Sequence, residues 1–260
     1  TFMRLPALLI LLASAGLGAC VTEVSGRQVP ESDPQAAAES NMQLGVGYLR
    51  QGNLQAAQEK LERAVEQNPK LVEAQLALGL VYERLDDPKE AEAAYKRAVQ
   101  VSGDDPDALN AYAAFLCRVD GRRDDALKYF DRAAEIPLSQ KFVNRAVIYT
   151  NAGVCAKPDD LDRAEQYLRL ALRTDPRYRE ALLQMADVSH LQQNNLQARA
   201  FLERYLSIGR PTPAILWLGV QIEQSNGDIA AAADYAKQLK QDFPASVETR
   251  LLLEQERNAG

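Results

Sequence analysis

LGVGYLRQGNLQAAQEKLERAVEQNP runs from Leu44 to Pro69 of this chain and sets its expected architecture. The polar turn Gly52-Asn53 divides the segment into two expected helices. Small residues, Gly45 in the first helix and Ala57 in the second, would let these helices approach each other closely. The segment therefore predicts a helix–turn–helix unit.

The same pattern returns along the chain at a nearly constant period. Residues equivalent to Ala57 follow at intervals of 34, 35, 38, 34 and 34 residues: Ala91, Ala126, Ala164, Ala198 and Ala232. Such periodicity is typical of stacked repeats, because a single unit cannot bury its apolar face without a neighbour. Six alanines in phase favour this interpretation over an ordinary helical bundle whose periodicity arose by chance.

The repeats resemble the tetratricopeptide family, whose consensus pattern is W-L-G-Y-A-F-A-P. The second unit shows the consensus positions in order: Leu78, Gly79, Tyr82, Ala91, Tyr95 and Ala98. The tryptophan is missing from all six units, and the resemblance covers residues 37–244. It implies an all-α fold, a right-handed superhelix of about six helix–turn–helix repeats with a C-terminal capping helix.

The capping helix is predicted in the last stretch of the chain. Residues 246–258 place Val247, Leu251 and Leu252 on one apolar side, and a solenoid needs a cap at its open end. We therefore assign residues 37–258 to the tetratricopeptide solenoid.

Residues 1–19 carry an independent signal about the compartment. Arg4 is their only charge, and the apolar run Leu5–Ala15 is too short to span a bilayer, which takes about 20 residues. These features predict a secretory signal peptide. The segment ends in LGAC at residues 17–20, which resembles the bacterial lipobox and implies that Cys20 is lipidated. A chance cysteine behind an ordinary signal peptide is the alternative.

The residues after Cys20 bear on the destination membrane. In the usual enterobacterial sorting rule an aspartate at this point retains a lipoprotein in the inner membrane, and this chain has Val21 instead. The expectation is a lipid anchor in the outer membrane, with the solenoid facing the periplasm. Residues 20–36 hold the lipidated cysteine and a polar stretch containing Gly26 and Pro30, which we interpret as a flexible tether.

The composition argues against catalysis and nucleic-acid binding. The formal net charge is −6, whereas a nucleic-acid partner requires a basic face. His190 is the only histidine, so no histidine-based metal cluster can form. Paired aspartates such as Asp104-Asp105 fall at predicted turns, where helix capping explains them. We expect no enzyme activity, cofactor, metal, nucleic acid or small-molecule substrate.

Two cysteines remain besides Cys20. Cys117 and Cys155 each lie nine residues before a repeat alanine, at equivalent positions on the first helices of adjacent repeats. Such a pair can form a disulfide in an oxidising compartment. Helices pack about 8–10 Å apart, however, and a disulfide needs Cα atoms within about 7 Å. A bridge and a pair of small buried thiols both remain open at this point.

A partner-binding groove is expected on the first helices, which normally line the concave surface of tetratricopeptide proteins. The inward positions of these helices are apolar in the first three units: Met42, Val46, Leu49, Leu76, Leu80 and Phe115, with Tyr149 extending the same wall. An apolar groove of this kind suggests capture of a hydrophobic peptide or strand. The alternative is that these residues pack against the second helices or the N-terminal segment.

Several stretches together resemble the type IV pilus biogenesis lipoproteins PilF and PilW. They are LGVGYL at residues 44–49, NAYAAFLC at 110–117, NAGVC at 151–155 and LWLG at 216–219, together with the lipobox and the cysteine pair. The resemblance implies a pilotin, an adaptor that binds PilQ-like pilus secretin subunits and promotes their outer-membrane localisation and multimerisation. The alternative function is a general periplasmic tetratricopeptide scaffold for cell-wall or outer-membrane assembly complexes.

Overall fold

In a computed structural model of the protein, residues 33–137 and 144–259 are described. The helical unit begins at Pro34, and the described residues contain helices and no β-strand. The all-α prediction is therefore confirmed. The predicted signal peptide and the lipidation site Cys20 lie outside the described residues.

Thirteen α-helices make up these ranges. In chain order they are α1 (Pro34–Arg50), α2 (Leu54–Gln67), α3 (Val72–Arg84), α4 (Pro88–Ser102), α5 (Pro106–Arg118), α6 (Arg123–Glu135), α7 (Arg145–Ala156), α8 (Leu161–Thr174), α9 (Arg179–Leu191), α10 (Asn195–Leu206), α11 (Pro213–Asn226), α12 (Ile229–Asp242) and α13 (Val247–Ala259). Odd-numbered helices from α1 to α11 are the first helices of six repeats, and the even-numbered helices are the second ones.

The turn inside a repeat follows from two local preferences. In five of the six repeats a residue with positive φ lies in the turn after the first helix, and glycine adopts this conformation at little cost: φ is 76° at Gly52 and 75° at Gly227. The next residue, Asn53 or Asp228, accepts a hydrogen bond in its side chain from the backbone N–H three residues later. That bond caps the second helix and fixes where it starts.

The repeat alanines lie where the second helix meets the first. Five of them are fully buried: Ala57, Ala91, Ala126, Ala164 and Ala198. The sixth, Ala232, is 5% exposed. From α1 to α9, the first helices of neighbouring repeats also contact one another, whereas the second helices come less close. The first helices therefore form the inner row of the superhelix and the second helices the outer row.

Glycine on the first helix permits this close approach. A Cβ atom at Gly45 would lie 2.6 Å from Cγ of Leu61, and one at Gly79 would lie 2.9 Å from the Tyr95 ring. Both distances are shorter than carbon atoms tolerate, so a larger residue would push the two helices apart. The consensus glycine thus has a steric cause.

The two ends of the unit differ from the repeats between them. Leu44 is 50% exposed, whereas its equivalent Leu78 is 5% exposed, because no described helix precedes α1 to cover it. On α13 only Leu252 is buried among the three predicted apolar residues; Val247 and Leu251 are 56% and 44% exposed. The prediction of a wide apolar side was wrong for these two residues, because α13 packs against its neighbours only along a narrow face centred on Leu252.

Cys117 of α5 and Cys155 of α7 form a disulfide, with their Cα atoms 5.6 Å apart. Their helices are the first helices of the third and fourth repeats, and the two cysteines come closer than the usual helix spacing. The bridge closes a sequence separation of 38 residues, the interval in which the repeat is longest. It ties the third repeat to the fourth independently of the chain between them.

A matched pair of glycines on α1 tests the steric argument. We expect Gly45→Ala to lower the free energy of unfolding by about 1–3 kcal/mol, because the new methyl group overlaps Leu61. A methyl group at Gly47 would meet no neighbouring atom within 4 Å, so Gly47→Ala should raise stability by about 0.5–1 kcal/mol. Urea unfolding followed by circular dichroism measures both, and equal effects of the two variants would contradict the packing described here.

The disulfide is expected to stabilise the solenoid. Loop-closure entropy for 38 residues predicts that replacing both Cys117 and Cys155 with alanine costs about 4 kcal/mol of unfolding free energy. Reductant should lower the unfolding midpoint of the parent protein and leave that of the double variant unchanged. A parent protein indifferent to reductant would show that the bridge is not formed.

Candidate partner-binding groove

An apolar groove of about 420 Å³ opens on the inner row at the first two repeats. Four of the six residues predicted for this wall line it: Val46 and Leu49 of α1, and Leu76 and Leu80 of α3. Tyr95 of α4 and Ala111 of α5 complete the apolar lining. The groove thus spans parts of three repeats.

Helical spacing explains why these side chains share one surface. Val46 and Leu49 are three residues apart, and Leu76 and Leu80 are four apart, so each pair lies on one face of its helix. Leu49 is 6% exposed and lies at the base, whereas Leu80 is 37% exposed and lies at the rim. Leu80 is therefore the predicted wall residue most open to an incoming partner.

Tyr95 contributes a neutral, fixed aromatic side chain to the lining. Its hydroxyl donates a 2.7 Å hydrogen bond to the Glu83 carboxylate. Burial, followed by this hydrogen bond, raises the pKa of Tyr95 far above its ordinary value, so the phenol keeps its proton. Glu83 in turn forms a 2.6 Å ion pair with Arg118 of α5, which links the second and third repeats beside the groove.

Two predicted wall residues take other positions. Phe115 is 3% exposed and its ring packs against Tyr95 and Tyr112, with centroid distances of 5.4 and 6.4 Å. The prediction that Phe115 lines the groove was wrong, because its ring lies in the core. There it packs against the Tyr95 ring, on the side away from the groove. Met42 is partly buried and packs against the core of the first two repeats instead of lining the groove. Tyr149 is likewise partly buried, against the central core.

Arginines complete the groove, and the sequence-based prediction missed them. Arg50 and Arg84 line it together with the apolar residues. Both lie seven residues before a repeat alanine, and this shared repeat position is the signal that could have identified them. Arg84 donates a 3.4 Å hydrogen bond to the backbone carbonyl of Leu49. The groove therefore combines an apolar base with two guanidinium groups.

Metal-binding clusters and membrane-spanning helices are absent from the described part of the chain. Residues 33–137 and 144–259 hold no group of three or more histidine, cysteine or carboxylate side chains arranged to bind a metal. None of the helices in these ranges has the length and apolar character needed to cross a membrane. His190 contacts Asn195, with 2.8 Å between Nδ1 and Oδ1, at the turn of the fifth repeat.

Comparison with known proteins agrees with the architecture. The tetratricopeptide repeat family matches residues 42–108. A type IV pilus assembly protein PilF of Pseudomonas aeruginosa is 29% identical over 253 residues, which are 95% of this chain and 97% of that protein. The solved structure of P. aeruginosa PilF has a TM-score of 0.70 at 26% identity, covering 85% of this chain and 99% of that one. The structure of PilW, a widely conserved type IV pilus biogenesis factor, has a TM-score of 0.75 at 26% identity, covering 83% and 98%.

The chain is therefore similar to PilF and PilW over most of its length and shares their tetratricopeptide fold. The predicted resemblance to PilF and PilW and the predicted fold are both confirmed.

Most of the groove lies within the part of the chain that the tetratricopeptide repeat family matches. The matched residues 42–108 run from α1 to the first turn of α5 and include all of its wall on α1, α3 and α4. The repeat pattern fixes the backbone there, while the side chains on the inner positions are free to vary without disturbing the helix crossings. These inner positions are where a tetratricopeptide protein can acquire a specific binding surface.

Proposed function

We propose that the protein is an outer-membrane lipoprotein adaptor, a pilotin, that binds type IV pilus secretin subunits and promotes their localisation and multimerisation. The apolar groove of the first two repeats is the observation that carries this proposal. Similarity to PilF and PilW supports the choice of pilus assembly as the process, and the secretin is the partner that the resemblance implies.

The groove suits an extended or helical segment with apolar side chains. Covering Leu80 and Leu76 removes apolar surface from water, and burial of one large aliphatic side chain contributes about 1.5–3 kcal/mol. Arg50 and Arg84 at the same groove would pair with a carboxylate of the bound segment. The preformed inner row means that little ordering of the protein is needed on binding.

Binding alone provides the proposed mechanism, without a chemical step. A secretin segment that is apolar enough to aggregate in the periplasm would be shielded in the groove during transit. The lipid on Cys20 would then direct the complex to the outer membrane, because two or more acyl chains anchor a protein stably. The residues between Cys20 and Pro34 would give the solenoid reach from the membrane surface.

A charge placed at the rim tests the groove. Leu80→Glu should abolish secretin multimers in a deletion strain complemented with the variant, because a carboxylate cannot be buried against an apolar segment. Leu196→Glu is the matched control: Leu196 is 72% exposed and does not line the groove, so multimers should form normally. Immunoblotting of unheated membranes for secretin multimers is the measurement.

The possible outcomes of this experiment separate the proposal from its alternative. Both variant proteins should have the circular dichroism spectrum of the parent. If folded Leu80→Glu supports normal multimers, the groove does not bind the secretin. If multimers form normally even when the whole protein is absent, the pilotin proposal fails and the general periplasmic scaffold becomes the better description.

The lipid anchor is tested at Cys20. Cys20→Ala removes the acylated side chain, so we expect the protein to move from the membrane fraction to the soluble periplasmic fraction. Labelling with radioactive palmitate should mark the parent protein and leave the variant unlabelled. Retention of the variant in the outer-membrane fraction would contradict lipid anchoring through this residue.

A further inference from the structure

A second groove, with different chemistry, lies on the outer row of helices. It has a volume of about 310 Å³ and is lined by residues of α8 and α10, the second helices of the fourth and fifth repeats: Arg169, Leu172, Arg173, Phe201 and Arg204. The opening exists because outer-row helices come less close than inner-row helices. Leu172 and Phe201 are partly buried against the core and form its apolar floor.

Two of the three arginines around this floor have no carboxylate partner in the part of the chain that the structure describes. Arg169 is held by Glu165, with 2.6 Å between Nη2 and Oε1. Arg204 donates a 2.8 Å hydrogen bond to the backbone carbonyl of Pro176, and its guanidinium lies 5.3 Å from the Phe201 ring centroid. Arg173 is exposed and forms no hydrogen bond or ion pair with any described residue. Three guanidinium groups thus surround the groove, and one of them is paired with a carboxylate.

A groove of similar composition on α6 has its basic residues paired with acids. It is lined by Arg122, Lys128 and Arg132 beside Tyr129, so its basic and aromatic content is similar. Here each cation has an acidic partner: Arg122 and Lys128 contact Asp125 at 3.0 and 3.2 Å, and Arg132 contacts Asp104. The basic residues of the α6 groove are therefore neutralised by the protein itself, and those of the α8–α10 groove differ from them in this respect.

We propose that the α8–α10 groove binds an acidic segment of a partner protein that carries one apolar side chain. The apolar side chain would pack on Phe201 and Leu172, while carboxylates on either side would accept hydrogen bonds from Arg173 and Arg204. A guanidinium presents a planar fork of donors that matches a carboxylate, and charge-assisted hydrogen bonds of this kind are among the stronger polar contacts.

The charge of the whole chain makes such a site selective. The formal net charge is −6, so most of the surface repels an acidic segment, and local positive charge is needed to hold one. The groove is on the outer row, whereas the apolar groove lies on the inner row. The inference goes beyond the proposed function, because it gives the adaptor a second surface on which to hold a different partner.

Fluorescence anisotropy with a labelled peptide tests the proposal. The probe is a hexapeptide of sequence Asp-Glu-Leu-Phe-Glu-Asp, and the control probe Asn-Gln-Leu-Phe-Gln-Asn has the same shape without charge. We expect the full-length protein to bind the acidic peptide at least about tenfold more tightly than the amide peptide. Added salt should weaken the acidic peptide's binding, since the contacts are exposed.

Two charge-reversal variants locate the site. Arg173→Glu should weaken binding of the acidic peptide about tenfold or more, and the fold should be unaffected because Arg173 has no partner within the described residues. Lys128→Glu makes the same change of charge at the neutralised α6 groove and should leave affinity within about twofold. If Leu80→Glu abolished peptide binding while Arg173→Glu did not, the peptide would occupy the apolar groove and this proposal would be wrong, so failure of the apolar groove and failure of this site are distinguishable.

The contrary results are equally specific. Equal affinity for the two peptides, or equal binding by the parent and Arg173→Glu, would overturn the proposal. Any sedimentation of the protein with phosphatidylglycerol vesicles should be the same for the parent and for Arg173→Glu. If Arg173→Glu abolished this sedimentation and the acidic peptide did not bind, the groove would be a lipid-headgroup site and the proposal would be wrong.

Discussion

Every repeat of this protein depends on a helix crossing at which the residue of the first helix is glycine or alanine. Where the crossing residue is glycine, a leucine or tyrosine from the second helix occupies the vacated space, as Leu61 does at Gly45 and Tyr95 at Gly79. Gly153 with Leu168 and Gly219 with Tyr235 repeat the arrangement. The two helices of a unit are thereby held close, and the alanine of the second helix is buried between them.

The binding surfaces follow from this constraint. Because the small residues hold each first helix against its own second helix, the remaining face of the first helix is directed toward the next first helix and the inner row. Neighbouring helices do not cover all of the apolar side chains on this face. Leu80 therefore stays partly exposed at the rim of the groove, and Leu49 lies at its base. On the outer row the second helices come less close, and the two grooves described there, on α6 and between α8 and α10, are lined by long basic side chains. Two faces of different chemistry thus arise from one repeated crossing.

The sequence predicted the repeat architecture well because each unit repeats the same steric solution. The turns at Gly52-Asn53 and Gly227-Asp228 were predictable for the same reason: positive φ and side-chain capping are local properties. The direction of an individual side chain was less predictable. Counting helical positions placed Phe115 on the wall, yet a ring of that size reaches the core, where it meets Tyr95.

Features that depend on neighbouring helices were beyond sequence reasoning. The exposed faces of Val247 and Leu251 depend on how narrowly α13 packs, which no periodicity specifies. The α8–α10 groove depends on the divergence of two helices far apart in sequence and on whether a carboxylate is within reach of each arginine. Arg173 looks like any surface arginine until its surroundings are known.

Site-specific photo-cross-linking in a piliated strain tests the central claim, that the inner-row apolar groove holds the pilus secretin. A photoreactive amino acid replaces Leu80 at the rim of the groove or, as a control, the exposed Leu196 outside it. The account predicts a cross-linked product containing a secretin subunit from position 80 and none from position 196. Secretin products from position 196 alone, or no secretin product from position 80 in a strain whose secretin multimers still require the protein, would contradict it.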